Sequence, residues 1–285
     1  MAEQRLKVNK TYKLFINGAF PRSESGRVYE AGGVNVPLAS RKDVRDAVAA
    51  ARGAQPAWAS RSAYNRAQIL YRVAEMLEGR RDQFITELEQ STDRTMAAET
   101  QVNNAVDRWL WYAGWADKFA QVAGGANPVA GPYFNLSLPE PAGLVTVVAP
   151  NVPSLLGLVS RVAPAVVSGN TVVVLASEES PLPALSLAEV LATSDFPPGV
   201  VNILSGRQSE LVEWLASHRD VNVVDLVGVH EAALHAKARE LAADAVTQVI
   251  THQPQDNDWL GGTSQSLELI LASTEIKTVW HPKGR

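Results

Sequence analysis

The sequence has 285 residues, of which 46% are apolar and 20% charged, and its formal net charge is −4. That length allows one large domain or two ordinary ones with a sizeable core, and no Lys/Arg cluster advertises a nucleic-acid or membrane face. Cysteine is absent, which excludes disulfides, Cys-based metal sites and any thiolate nucleophile.

The opening stretch, MAEQRLKVNK, lacks the apolar segment of a secretory signal. Residues 13–20 (KLFINGAF) alternate around Asn17-Gly18, a two-residue hairpin signal. Ser40 can cap a helix over 41–52 with Val44, Ala47, Val48 and Ala51 on one face. Further helices are predicted at about 64–78, 81–90 and 96–122. The last carries Trp109, Trp111 and Trp115, and aromatics at this spacing predict a packed core helix rather than a stacking site.

From Gly143 onward, Val/Ile/Leu runs alternate with helical stretches. Strands are predicted at 144–149, 171–175, 201–204, 221–227 and 247–251, with helices at about 155–167, 181–192, 209–217 and 230–243. This pattern predicts an α/β fold with a doubly wound parallel sheet of the nucleotide-binding type, covered on both faces. The apolar stretch 142–176 is too interrupted by Arg161, prolines and glycines to be a membrane helix. A cytoplasmic, soluble protein is the expectation. A polar stretch follows Thr251, and two β-type runs are predicted at 267–272 and 275–280. Too few residues follow Thr251 for another domain of this size. The five histidines give no metal-type pair, because His230 and His235 do not share a helix face as i, i+4 residues would.

The segments PEPAGLVTVVAPNVP, RVAPAVVSGNTVVVLASEESPLPALSLAEVL and FPPGVVNILSG, between 139 and 206, resemble the aldehyde dehydrogenase superfamily. FINGAF near the start and TEIKTVWHP near the end are similar to the family's opening and its C-terminal strand. The resemblance implies an N-terminal helical region over 1–132, an NAD-binding-type domain over 143–255, and oligomerisation strands at 133–142 and 264–285. The block between Thr251 and Leu267 is where the family carries its catalytic domain and nucleophilic cysteine, and it is missing here.

The resemblance also marks individual positions. Asn151 stands where the family places an asparagine that helps bind an oxyanion; without a thiolate, the expectation is that it supports the Pro150–Pro153 turn and the helix that follows. Leu175 replaces the ribose-binding lysine. Glu178 keeps the accompanying glutamate, or serves as a carboxylate near the start of the next helix. Gly206 and Gly228 survive in the turns that approach a pyrophosphate, where Gly228 still permits close backbone approach, while Val227 and Val229 replace hydroxyl donors. Arg207 could meet a phosphate or simply start a helix. No Asp or Glu occurs in 246–255, so the general base is absent and His252 is the one titratable residue there.

Weak NAD binding at most, no metal and no catalytic residue are therefore expected. The expected role is a catalytically inactive assembly or regulatory subunit, in a homo-oligomer or with a full-length aldehyde dehydrogenase relative. Alternatives are a residual NAD-binding module and a working NAD-dependent oxidoreductase. The missing domain is also expected to leave one face of the sheet unit bare.

Overall fold

The computed structural model describes residues 8, 10–91, 93–94, 96–252, 254 and 258–284. The opening decapeptide and the exit of the fifth predicted strand thus fall partly outside the described residues. At Asn17 and Gly18 both φ values are positive (52° and 74°). Ile16 and Ala19 exchange two backbone hydrogen bonds of 3.0 Å, which closes the predicted turn. Phe15 then forms a bridge to Ile203, with reciprocal bonds of 2.9 and 2.8 Å. The hairpin thereby covers one edge of the main sheet. A second hairpin, β1 (Val28–Ala31) and β2 (Val34–Pro37), turns at Gly32-Gly33 and was not legible from the sequence pattern.

Four helices follow: α1 (Arg41–Ala59), α2 (Ala63–Glu78), α3 (Arg81–Gln90) and α4 (Ala98–Trp115), with a short α5 (Phe119–Ala123). Ser40 and Asp43 form a full capping box at the start of α1. This helix runs past residue 52 and through Pro56, because its last turn buries Trp58, whose indole N–H donates to Val166 O at 3.0 Å. Trp109 is fully buried in α4, as its spacing implies.

The main sheet is parallel throughout. Its strands are β5 (Leu144–Val148), β6 (Thr171–Leu175), β7 (Val201–Leu204), β8 (Val223–Asp225) and β9 (Gln248–Ile250), in the order β7-β6-β5-β8-β9. The two edge partners on the β9 side are shorter than the Val/Ile runs predicted there. Connecting helices are α6 (Leu156–Val167), α7 (Leu182–Ala192), α8 (Gln208–Ser217) and α9 (Ala232–Asp244). Strand alternation divides the core in two. Val145, Val147, Val172 and Val174 face a cluster shared with α2, α3, α4, α6 and α7. Leu144, Val148, Val173 and Leu175 face a second cluster shared with α1, α8 and α9. No described helix is long and apolar enough to cross a membrane.

A separate antiparallel sheet has the order β10-β4-β3, from β3 (Gly125–Asn127), β4 (Tyr133–Pro141) and β10 (Thr274–Pro282). Nine register pairs run from Thr274↔Pro141 to Pro282↔Tyr133. One expectation is corrected here: residues 267–272 are not a strand. They form helix α10 (Leu267–Leu271). Leu267, Ile270 and Leu271 stand at helical i, i+3, i+4 spacing and all pack on the larger core cluster. That burial overrides a short apolar run that fits either period. Over the expected bare face, α10 packs on α6 and Trp259 is buried against Leu156 and Val227, while β9 stays exposed to half-buried.

Between α6 and β8, Arg161 Nε lies 2.5 Å from Asp225 Oδ2, and the two side chains are 5% and 3% exposed. Removing one member of a buried pair leaves an uncompensated charge. D225A should therefore cost about 3–5 kcal/mol of unfolding free energy in urea titrations. Breaking the exposed Lys277–Glu140 contact (3.1 Å) by E140Q should change stability by no more than ~0.5 kcal/mol.

Candidate functional site: the crevice at the strand switch point

In a doubly wound sheet, ligands bind beyond the carboxyl ends of the strands where successive connections leave to opposite faces. Here that point lies between β5 and β8. The loop after β5 leads to α6 on one face, and the loop after β8 leads to α9 on the other. Apart from His252, the residues singled out from the sequence lie around this crevice, bonded to or packed against the protein itself.

Asn151 lies in the loop after β5. Its Oδ1 accepts from Ser177 Oγ and from the Glu178 N–H, both at 3.1 Å, and its Nδ2 donates to Glu179 Oε1 at 3.1 Å. The amide braces the neighbouring loop after β6. It does not support the start of α6, as the sequence suggested. Glu178 accepts from Arg207 Nη1 at 2.7 Å through one oxygen and from the Gln208 N–H at 2.8 Å through the other. The carboxylate therefore caps the N-terminus of α8 while pairing with Arg207. Arg207 lies over the Tyr29 ring, 4.7 Å from its centroid. The Glu178 hydrogen bond holds the guanidinium above its ordinary pKa. Burial pushes the Tyr29 phenol up as well, with the Glu178 charge adding to it.

The two glycines serve packing. A Cβ at Gly206 would meet Leu211 Cδ1 at 2.6 Å. One at Gly228 would meet Ala149 O at 2.2 Å and Val148 O at 2.4 Å. The Gly228 N–H donates to Val148 O at 3.1 Å, and Gln208 Nε2 donates to Gly228 O at 2.9 Å. The close backbone approach allowed by this glycine is thus to β5. Leu175 and Val229 are buried in the core on the α8/α9 side. Val227 packs with Leu156 and Trp259. His252 is exposed and stands apart, on a cleft of about 500 Å³ with Ile250, Ser266 and Glu268. Among the described residues no three His, Cys, Asp or Glu side chains converge to hold a metal.

Sequence reasoning missed Trp259 and Arg108. Trp259 sits in a polar stretch with no periodicity to mark it. Arg108, on α4, is 1% exposed. It donates to Trp259 O at 2.9 Å, to Ser160 Oγ and to Gln265 Oε1 at 3.4 Å. Burial lowers its pKa. The deciding signal, a guanidinium buried among uncharged acceptors, exists only in three dimensions.

Residues 30–253 match the model of the aldehyde dehydrogenase family. The chain belongs to this family. Cytosolic 10-formyltetrahydrofolate dehydrogenase of Mus musculus is 34% identical over 249 residues, covering 82% of this chain and 27% of that protein. The Bacillus subtilis protein DhaS is 32% identical over 280 residues, covering 94% of this chain and 53% of DhaS. The NAD+ complex of an aldehyde dehydrogenase from Bacillus cereus superposes with a TM-score of 0.77 at 26% identity, covering 84% of this chain and 50% of that one. The chain therefore spans about half, or less, of the length of these aldehyde dehydrogenase relatives. The five-stranded sheet and its helices are the family's NAD-binding-type domain, and NAD+ is the cofactor of the Bacillus cereus complex. The residues at the equivalent crevice do not fit a dinucleotide here: Glu178 is doubly engaged, Gly228 abuts β5, and Trp259 lies on Val227.

If Gly228 is required by β5 and not by a ligand, its replacement is a folding defect. G228A should lower stability by about 1–3 kcal/mol through overpacking, read as a lower Tm without any cofactor. G53A, at an exposed helical site with nothing within 4 Å of the added Cβ, should raise stability by up to about 1 kcal/mol.

Proposed function

We propose that this chain is a catalytically silent member of the aldehyde dehydrogenase family that works by assembly, joining another chain through the β10-β4-β3 arm. The observation that carries this reading is the contrast between the arm and the chemistry. The sequence has no cysteine, and only residues 251–273 separate β9 from β10. Covalent aldehyde oxidation requires a nucleophile and a base that activates it. The arm, by contrast, is fully formed. Tyr133, Phe134, Leu138, Ile276, Val279 and Trp280 are 41–59% exposed on it. Among the described residues, β10 pairs with β4 alone, so its outer edge presents unpaired backbone groups. A long, apolar, unpaired edge strand favours pairing with another chain, and a small isolated sheet is marginal in water.

The partner that fits is a full-length relative, because it supplies the block missing here. A second copy of this chain is the competing partner. A residual NAD-binding module is the weaker reading, since the groups that would meet ribose and phosphate are buried or internally bonded. Each lost hydrogen bond costs about 0.5–3 kcal/mol, and three such losses shift a micromolar site to about millimolar or weaker.

The purified chain should give no aldehyde-dependent NADH absorbance. Light scattering after size exclusion should show a mass above one chain, either alone or after co-expression with an intact relative. Removal of residues 274–284, or the milder I276E/W280E pair, should return a monomer. A stable monomer that ignores the relative, or turnover above background, contradicts the proposal.

A further inference from the structure

Residues 258–266 are short of regular structure, with one three-residue 3-10 turn at Gly262–Ser264, yet they carry one of the deeply buried indoles of the protein. Trp259 is 6% exposed. It packs with Leu156, at the start of α6, and Val227, just after β8, with Met96 at the margin. Those two residues sit on the two connections that diverge at the switch point, so the indole lies where an open crevice would receive a planar ligand. Several contacts hold it there. Arg108 donates to the Trp259 carbonyl at 2.9 Å and reaches Gln265 at 3.4 Å. Asp258 Oδ1 accepts from the Leu260 and Gly261 N–H groups at 3.1 and 2.8 Å, and Ser264 Oγ donates to Asp258 O at 2.7 Å. Gly261 is compressed against the Asp258 carboxylate, which a Cβ would meet at 2.0 Å. The loop is thus a tight, internally bonded clip with its aromatic side chain turned inward.

We infer that Trp259 is a built-in plug of the switch-point crevice, held by Arg108, and that it takes the place of a planar ring of a dinucleotide. The inference rests on the reading that this chain works without a bound cofactor, and it says how the chain remains folded in that state. An apolar crevice left empty would forfeit packing contacts on its walls. The plug fills its apolar end. At the polar end, Arg207 and the Gln208 N–H take both oxygens of Glu178. The two closures are independent in sequence and meet across Gly228, whose carbonyl accepts from Gln208 Nε2 and whose neighbour Val227 touches the indole cluster.

The test is calorimetric titration of NAD+ into the full chain and its W259A and W259F variants, with folding checked by circular dichroism. The wild type should show no saturation up to about 1 mM, and W259A should bind NAD+ at least about tenfold more tightly. W259F, which keeps a smaller ring and decides the matter should W259A not fold, should show a gain in the same direction. A wild type that saturates at micromolar NAD+ overturns the cofactor-free reading and the plug together. A silent wild type with folded variants that are equally silent overturns the plug alone.

Discussion

The buried pair of Arg161 and Asp225 fixes the place where the sheet reverses its strand order. Asp225 ends β8, and Arg161 projects from α6, the helix that follows the adjacent strand β5. Two ions removed from water need each other and further donors; Asp225 obtains one in the Val227 N–H at 3.0 Å. That bond folds the chain back after β8, and the Gly228 N–H then reaches Val148 O. The loop leaving β8 is consequently drawn onto β5. Two features of the crevice follow from this: the need for glycine at 228 and the placement of Val227 where an indole can cover it.

Around this point most polar side chains are bonded to the protein itself. The side-chain amide of Asn151, both oxygens of Glu178, the amide of Gln208 and the guanidinium of Arg108 are all bonded to protein atoms. The exceptions are two buried hydroxyls, of Tyr29 beneath Arg207 and of Ser154 in the loop after β5, which have no hydrogen-bond partner. In the projecting sheet, large apolar side chains and an unpaired strand edge are exposed together. The contrast between the engaged crevice and the open arm is what supports the proposal of assembly in place of chemistry.

Much of this was legible in the sequence because it depends on local pattern. Continuous Val/Ile/Leu runs separated by helical stretches gave the parallel sheet, Ser40 marked the start of α1, and Asn17-Gly18 marked a turn. The absence of cysteine and the short span between β9 and β10 needed no structure. What failed did so for tertiary reasons. LELIL at 267–271 fits a strand or a helix, and contact with α6 decided for the helix. Gly32-Gly33 turns a hairpin whose strands are too short to show a period. Trp259 lies in a polar segment, and only the fold brings it to Leu156 and Val227, residues distant in sequence. The partner of Glu178, Arg207, comes from the turn after a different strand, so the pairing could not be read along the chain.

Hydrogen–deuterium exchange on the intact chain tests the account most directly, because it reports on crevice and arm in one measurement. Amides of 176–180 and 226–231 should exchange at the same rate with and without millimolar NAD+. Those of β10, 274–281, should slow on addition of an intact aldehyde dehydrogenase relative, or already be slow in a self-associated form and quicken on dilution. Protection of 176–180 and 226–231 by NAD+, with β10 indifferent to any partner or to concentration, would contradict it.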